Sequence, residues 1–457
     1  MAHTLSSIRK NWVFNRWQTA IIFAIGFFMS FCMIMFSDMR ITASGSFSLL
    51  SGHILDMYDF GVTCNYSPEL VYYPTMYWIF AIWNIPMALL FGTNFDNYSK
   101  LAMTITLYWD KVMVLIAFAI CLHLFNKLCS LILDEEQRRY AMYFFALSPY
   151  LLIAEIAFGT YDYLYMVFVL WGVYIYFRDQ DSKNWWIKFT LLFAISFTIK
   201  QLTIFIWLPL LLYREKRIIP LALNAILGFS FYIIETALFF PSPYFHEEVL
   251  ESHFILFLTN MTLNNGRTGI ALWGIVFGII CCFAYFKDYD ATTPLKAILL
   301  AMLGPLSIIL CCHWTINWIL LYMPFLAILI ASNDNRERFQ LIDFGFCGLY
   351  ILMLFYQQTN YWGYVYYGEG MLDFGPLSFL RNSNDLLLTS KLVPGQLYPI
   401  ILGALYSILV FYVIALHPKK ECSNNDMVTA QEYSTLWQKF VIGTILYIAP
   451  IIAGVIL

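Results

Sequence analysis

Long apolar runs, separated by short polar segments, form the dominant pattern along the chain. Thirteen of them are candidates for membrane-spanning helices: 19–36, 103–127, 139–157, 161–177, 187–199, 201–213, 218–240, 269–286, 295–312, 315–332, 340–358, 397–416 and 440–457. At about 1.5 Å per residue, the two short runs that flank Lys200 do not reach across a ~30 Å hydrocarbon core when upright, so one of them is expected to be broken, tilted or re-entrant. The pattern predicts an all-α polytopic membrane protein with about 13 transmembrane helices, in a range of roughly 11–14.

The composition excludes a soluble protein. Of the 457 residues, 61% are hydrophobic and only 12% are charged, and the mean hydropathy is +0.68. One membrane anchor on a soluble domain would not raise the average this far, so many segments are expected to cross the bilayer. The 26 Lys and Arg residues against 29 Asp and Glu residues give no basic excess for binding nucleic acid.

The basic residues predict which loops are cytoplasmic, because the cytoplasmic loops of membrane proteins carry the excess of Lys and Arg. With the N-terminus inside, nineteen of the 26 basic residues fall on the cytoplasmic side, six fall outside, and Lys111 lies within the second run. This division holds only if the apolar stretch 74–91 does not cross, so we expect it to form a juxtamembrane helix. Three external segments are then long: 37–102, 241–268 and 359–396.

These external loops are therefore the expected place for function. The short cytoplasmic loops contain no Gly-rich phosphate loop, ATP-binding motif or metal-spaced His/Cys cluster. No internal repeat of the kind found in many secondary transporters is visible in the sequence.

Asp38 and Arg40 follow the first apolar run, at the start of the first external loop. Desolvation beside the bilayer raises the pKa of a carboxyl group toward the range of a general base, and a neighbouring guanidinium would hold it ionised. Asp38 is thus a candidate catalytic base. The alternative is a solvated acid that caps the end of a helix.

Two further constellations lie on the external side. In Gly159-Thr160-Tyr161-Asp162, a short turn between two runs, the Asp either caps the following helix or binds a sugar hydroxyl. Lys200-Gln201 lies inside an apolar stretch, where a Lys costs roughly 2.5–3.5 kcal/mol and requires an anionic partner. A lipid phosphate is a suitable anion near the outer leaflet, and snorkelling to ordinary headgroups is the alternative.

Arg267 and His313 are weaker external candidates. Arg267 follows Asn264-Asn265-Gly266 and offers a second cation for a phosphate. His313, beside Trp314, is either a substrate ligand or an interfacial anchor.

The order of these elements resembles the GT-C superfamily of membrane glycosyltransferases, which use polyprenyl-phosphate sugars as donors. In that superfamily an acid follows the first span, in a long external loop with juxtamembrane helices, and Asp38 and the loop to residue 102 are similar. Tyr73-Pro74-Thr75-Met76 is similar to the Tyr-Pro-Pro-Leu-like element of that loop. Gly159-Thr160-Tyr161-Asp162 is similar to the superfamily's Gly-Gln-Phe-Asp motif, and Lys200-Gln201 is similar to the Lys that follows the fifth span.

The resemblance covers residues 1–240, the catalytic transmembrane module that such enzymes share, and leaves 241–457 as a variable module related to the acceptor. It implies inverting transfer of a sugar from a polyprenyl phosphate, such as undecaprenyl phosphate, to a hydroxyl of a lipid-linked or cell-surface glycan. In this scheme Asp38 is the base and Lys200 holds the donor phosphate. Either Arg40 or Arg267 would be a second cation for that phosphate.

The resemblance also implies the substrate contacts and the location. The substrate-binding residues would be Tyr73, Tyr161, Asp162, Gln201 and His313, and neither a metal nor another cofactor is expected. The partners would be the lipid-linked donor, a glycan or glycolipid acceptor and membrane lipids. The protein is then expected in the plasma membrane with its site on the external face, or in the endoplasmic reticulum membrane of a eukaryote.

Two other classes of function remain open. A polysaccharide polymerase or ligase would be expected to use Arg and His residues of the external loops, such as Arg267. A secondary transporter or lipid flippase would use Asp110, Glu155, Glu235 and Lys200 as its charges within the membrane. A transporter concentrates polar groups near the bilayer midplane, whereas these groups are expected to gather at the outer edge.

Overall fold

A computed structural model describes most of the chain. The described residues are 13–32, 37–63, 70–180, 182–251, 258, 261–264, 269–290, 293–312, 316–357, 397–416 and 428–456. The predicted external loop 359–396 and the candidates Arg267 and His313 lie outside the described residues.

Helices make up nearly all of the described fold. They are α1 (Arg16–Cys32), α2 (Ser37–Leu50), α3 (Met57–Thr63), α4 (Pro74–Phe91), α5 (Lys100–Ile132), α6 (Glu135–Ala146), α7 (Pro149–Ala157), α8 (Asp162–Arg178), α9 (Trp185–Ile199), α10 (Ile204–Arg214), α11 (Ile218–Phe239), α12 (Leu272–Phe286), α13 (Pro294–Ile309), α14 (Met323–Ala331), α15 (Arg336–Gln357), α16 (Tyr398–Ala415) and α17 (Ala430–Ile456). Helix α7 ends in a π-helical turn over Leu152–Ala157, and a 3₁₀ turn, Gln201–Thr203, precedes α10. A short antiparallel hairpin pairs β1 (Thr262–Asn264) with β2 (Gly269–Ala271).

Several of these helices are suited to crossing a bilayer, so the chain is an all-α membrane protein. By length and composition, the described helices α4, α5, α11 and α16 are long and apolar enough to span. Helices α6 and α7 meet this requirement only together, with a bend of 43° between them, as in a broken span or a re-entrant segment. Other apolar helices, such as α9 and α12, have only 15 residues each. The count of thirteen spans stays a prediction.

Some predicted spans are interrupted, and local chemistry explains where. The chain is extended at Lys200, with φ −148° and ψ 108°, so the two short runs on either side of it form separate helices. That one of these runs is broken, tilted or re-entrant in the membrane stays a prediction. The run 139–157 divides before Pro149, because a proline has no N–H to continue the preceding helix. The run 315–332 likewise divides into a 3₁₀ turn, Ile316–Leu321, and α14, which has Pro324 in its first turn.

One apolar core joins the two predicted modules. Buried side chains of this core extend from Phe14 to Phe440, so packing continues across residue 240. At Gly304 in α13 a Cβ atom would lie 1.7 Å from the carbonyl oxygen of Phe205, so only glycine permits this close contact between α13 and α10. A smaller aromatic cluster, which includes Tyr73, lies beside the loop helices.

The external helix α2 is rich in Ser and Thr, and packing explains why it forms. Its hydroxyl groups bond to carbonyls of the preceding turn, as Thr42 Oγ1 does to the Asp38 oxygen at 2.9 Å, so they can be buried. At Gly45 a Cβ atom would lie 2.2 Å from the ring of Tyr77, which allows α2 to pack closely against α4. Helix α4 also packs against α5 through Trp83 and Trp109, whose rings stack with centroids 4.5 Å apart. The indole N–H of each tryptophan donates to the backbone carbonyl of the other at 2.9 Å.

That α4 does not cross the membrane stays a prediction from the distribution of basic residues. By length and composition, α4 is long enough and apolar enough to span a bilayer. The ring of Phe14, before the first predicted span, lies 4.9 Å from the ring of Tyr143 in the run 139–157, so these two segments pack together.

Candidate functional site

Asp38 is the second residue of α2, and its side chain is half-buried. Burial raises the pKa of Asp38 above its usual value, while the positive charge of Lys200 and a hydrogen bond from Tyr72 oppose that shift only in part. A carboxylate in the first turn of a helix is also favoured by the helix dipole. This environment has the character of a general base, because the carboxylate is less hydrated than in water yet has a cation nearby to keep it ionised.

Asp162 is fully buried at the start of α8 and is held from two sides. Lys200 Nζ lies 3.2 Å from Oδ1 and 3.4 Å from Oδ2, and Asn317 Nδ2 donates to Oδ2 at 2.7 Å. The Asp162 side chain makes no helix-capping hydrogen bond. Of the two interpretations from the sequence, capping is therefore wrong, and Asp162 binds other side chains instead.

Lys200 occupies the break between α9 and the 3₁₀ turn before α10. Its side chain is 16% exposed, so it is not completely enclosed by the protein. The sequence required an anionic partner for this charge, and in the structure a protein carboxylate, that of Asp162, supplies it. The positive charge also lies 5.8 Å from the centre of the Tyr161 ring, within the range of a cation–π contact.

The turn that places Asp162 depends on Gly159. Its φ of +71° lies in the left-handed region that favours glycine, and an added Cβ would lie 2.5 Å from Lys111 Cε. Lys111 Nζ in turn donates to the carbonyls of Ile156 and Ala157 at 3.4 and 3.1 Å, and to that of Ser30 at 3.2 Å. The π-helical end of α7 is thereby tied to α5 directly beneath the site.

Glu155 lies in this π-helical turn and is fully buried. Its Oε2 pairs with the hydroxyl of Thr160 at 2.6 Å, and its electrostatic neighbours are Asp162, Lys200 and Asp38. Glu155 and Asp162 are therefore neighbouring buried acids, and the ammonium of Lys200 contacts Asp162. No group of three or more His, Cys, Asp or Glu side chains within the described ranges is arranged to hold a metal ion.

Two tyrosines form an aromatic wall beside these charges. The ring of Tyr72 meets that of Tyr161 edge to face, with centroids 4.7 Å apart and planes at 78°. The backbone N–H of Tyr72 donates to the Tyr77 hydroxyl at 3.2 Å, which fixes the loop that carries it. Asp38, Tyr72, Tyr161 and Lys200 therefore adjoin one another where α2 and α8 begin and α9 ends.

The structure brings some predicted site residues together and leaves others apart. Arg40 is exposed, and its side chain points away from that of Asp38, because residues two positions apart on a helix point about 200° apart. Its charge acts on Asp96 instead. Tyr73 is buried in the aromatic cluster, with its ring stacked 4.5 Å from that of Tyr232. Gln201 is exposed. The expectation that Arg40 holds Asp38 ionised is wrong, since Lys200 takes that role.

Sequence reasoning missed Asn317 and the part played by Tyr72. Asn317 is a lone polar residue in an apolar run, so no local pattern marks it as a ligand of Asp162. Tyr72 adjoins the recognised Tyr73-Pro74 element, and that adjacency was the one available signal.

Comparisons with protein-family models, with curated proteins and with solved structures gave no match. The possible chemistry of the site is therefore argued from the positions of its side chains alone. It combines a half-buried carboxylate, a partly exposed ammonium and an aromatic wall. Such a site can accept a proton from a hydroxyl group, attract an anion and contact the face of a ring.

Proposed function

We propose that the protein is an inverting glycosyltransferase. It moves a sugar from a polyprenyl-phosphate-linked donor to a hydroxyl of a lipid-linked or cell-surface glycan. The site lies on the external face of the plasma membrane, or on the lumenal face of the endoplasmic reticulum in a eukaryote. Residues 1–240 carry the catalytic groups, and residues 241–457 contact the acceptor.

One observation carries this proposal. Asp38 and Lys200 are far apart in sequence, yet both adjoin the aromatic wall formed by Tyr72 and Tyr161. Tyr72 hydrogen-bonds to Asp38, and Lys200 Nζ lies 5.8 Å from the centre of the Tyr161 ring. Each type of side chain suits one half of the reaction, the carboxylate for the attacking hydroxyl and the ammonium for the departing phosphate. Their proximity is what a single displacement at one carbon atom requires.

The carboxylate of Asp38 accepts the proton of the acceptor hydroxyl as its oxygen bonds to the anomeric carbon. At the same time the bond between that carbon and the phosphate oxygen breaks, and the phosphate leaves with the electron pair. Attack and departure on opposite faces invert the configuration. Tyr72, which hydrogen-bonds to Asp38, positions the carboxylate for this step.

Lys200 stabilises the charge that grows on the leaving phosphate. An ammonium group has three N–H donors, and the Asp162 carboxylate occupies at most two of them through its two oxygens. The partly exposed side chain therefore keeps donor capacity for an incoming anion. Asp162 and Asn317 act indirectly, because they fix the position of the ammonium.

The excess of carboxyl groups favours a second candidate function. Asp38, Glu155 and Asp162 outnumber Lys200, and a cluster with this balance attracts protons or other cations. An arrangement of this kind also suits a cation-coupled transporter or flippase.

A single preparation of purified protein decides between these functions. In nanodiscs with a panel of undecaprenyl- and dolichyl-phosphate sugars and a glycolipid acceptor, a glycosyltransferase releases the free lipid phosphate, which mass spectrometry detects. In liposomes, a proton-coupled transporter takes up protons when substrate is added, which an internal pH dye reports.

Matched carboxylate variants make the enzyme assay specific. Asp38→Asn should slow release of lipid phosphate by roughly two to four orders of magnitude, whereas Asp56→Asn should not. Asp56 lies in the same external loop but is exposed and pairs with His53 at 2.8 Å. Proton uptake without any release of lipid phosphate would replace the glycosyltransferase proposal with the transporter.

A further inference from the structure

Glu155 is an acid that the proposed reaction does not use, and its surroundings are unusual. The side chain is fully buried in the π-helical turn Leu152–Ala157, a kind of turn that often occurs at functional sites. Its Oε1 is buried and has no hydrogen-bond partner in the described part of the chain, while Oε2 contacts Thr160 Oγ1 at 2.6 Å. One hydrogen bond is too few for a buried carboxylate anion.

The hydroxyl of Thr160 provides a second argument. Its oxygen lies 2.6 Å from Glu155 Oε2 and 3.4 Å from the carbonyl oxygen of Ala154, and both of these are acceptors when the acid is ionised. A hydroxyl has only one hydrogen to donate. Both contacts are satisfied when a neutral Glu155 donates from Oε2 to Thr160 and Thr160 donates to Ala154.

The charges around Glu155 also favour its neutral form. Asp162 and Asp38 repel a negative charge here, and Lys200 is already engaged by Asp162. The other titratable groups nearby belong to the packed helices: Cys121 and Lys111 on α5, and Tyr163 and Tyr165 on α8. Lys111 donates hydrogen bonds to the backbone carbonyls of Ile156 and Ala157, the two residues that follow Glu155.

We infer that Glu155 is a positioning residue held as a neutral carboxylic acid. Through Thr160 it fixes the turn that carries Asp162, and its neutrality keeps one negative charge out of the cluster. This role deepens the proposed function and rests on it, because an anionic donor enters more easily when one carboxyl group fewer is charged. A proton on Glu155 thus lowers the negative charge of the binding site and favours binding of a phosphodiester that carries one negative charge.

Infrared spectroscopy tests the proton directly. The protein is reconstituted in lipid at pH 7, and spectra of wild type and Glu155→Gln are subtracted. A neutral acid gives a carboxylic C=O band, shifted in heavy water, that the variant lacks. Asp110→Asn is the matched control, since Asp110 is a second buried acid whose two oxygens lack partners in the described structure. If Glu155→Gln instead lacks the carboxylate bands of wild type and keeps the carboxylic acid band, Glu155 is ionised and the inference is overturned.

Thr160→Val provides a second route if Glu155→Gln does not fold. Valine has a similar shape but cannot accept the hydrogen bond, so the acid band of Glu155 should move to higher wavenumber. An unchanged acid region in Thr160→Val would show that no neutral acid bonds to Thr160.

Donor kinetics test the role of the proton. Above the pH at which the infrared band of wild type disappears, the donor KM of wild type should rise roughly tenfold or more with little change in kcat, whereas Glu155→Gln should stay level. Equal pH profiles would refute the role. The infrared result needs no turnover, so an inactive wild type would overturn the proposed function while the state of Glu155 would still be decided.

Discussion

The pair formed by Lys200 and Asp162 allows a quantitative prediction of stability. Replacing Lys200 by Met leaves the fully buried Asp162 with one fewer donor, although Asn317 still donates to it at 2.7 Å. Removal of one partner from a buried ion pair costs about 3–5 kcal/mol. Because the Lys200 side chain is 16% exposed and Asn317 remains, we expect a cost at the lower end, about 3 kcal/mol.

The double variant separates pairing from packing. Lys200→Met together with Asp162→Asn removes both charges, so no unpaired carboxylate remains. We expect Asp162→Asn alone to cost about 1–3 kcal/mol, because Lys200 can then extend toward the aqueous surface. The double variant should cost no more than Lys200→Met alone, which corresponds to a coupling energy of about 2 kcal/mol.

Equilibrium unfolding in mixed detergent micelles, followed by tryptophan fluorescence, measures all four proteins of this cycle. The control cycle uses Lys188 and Asp179, which lie 3.7 Å apart with the Lys side chain 62% exposed. An exposed pair of this kind should couple by less than about 1 kcal/mol. If the Lys200 and Asp162 effects add to within about 0.5 kcal/mol, the two residues do not form the pair on which the site is built.

Four further predictions concern the site and the topology. Asp38→Asn should lower turnover by roughly two to four orders of magnitude in the lipid-phosphate release assay, and near-normal turnover would remove Asp38 from the mechanism. A base works only when ionised, so its raised pKa places the acid limb of the pH–rate profile above the ordinary aspartate value of about 3.9. Lys200→Met removes a charge that lowers this pKa and should move the limb to higher pH; a shift to lower pH would contradict the geometry. A cysteine at Arg139, whose side chain is 43% exposed, should be labelled only from the cytoplasmic side, and labelling from outside in intact cells would refute the topology. Gly159→Ala should destabilise the fold by about 1–3 kcal/mol more than Gly52→Ala does in the same unfolding assay, because position 52 shares the positive φ but has open space around it; equal costs would rule out the steric contact.

The sequence allowed the charged members of the site to be predicted, because each ends or interrupts an apolar run. Asp38, Asp162 and Lys200 are polar residues at the borders of such runs, and the sidedness of the basic residues placed all three outside. The structure brings these three residues together. Hydropathy and charge therefore sufficed to select them.

The partners of these residues could not be predicted in the same way. Reasoning along the chain sought an acid within the segment of Lys200, whereas the partner, Asp162, comes from another helix. Asn317 lies farther still along the chain, and its role depends on how the 3₁₀ turn packs against α8. Arg40 was misjudged because nearness in sequence does not fix the direction of a side chain on a helix. Such contacts arise from helix packing, which leaves no local pattern.

The hydrogen bonds of Lys111 have a consequence for how the protein is made. Two of its acceptors, the carbonyls of Ile156 and Ala157, lie 45 and 46 residues further along the chain, so they are synthesised well after Lys111. At roughly 5–20 residues per second, synthesis of this stretch takes about 2–9 s. Throughout that interval an ammonium group in an apolar helix lacks two of its final ligands, which disfavours release of α5 into lipid. We expect α5 to stay at the insertion machinery until α7 arrives, so that these helices enter the membrane as a unit.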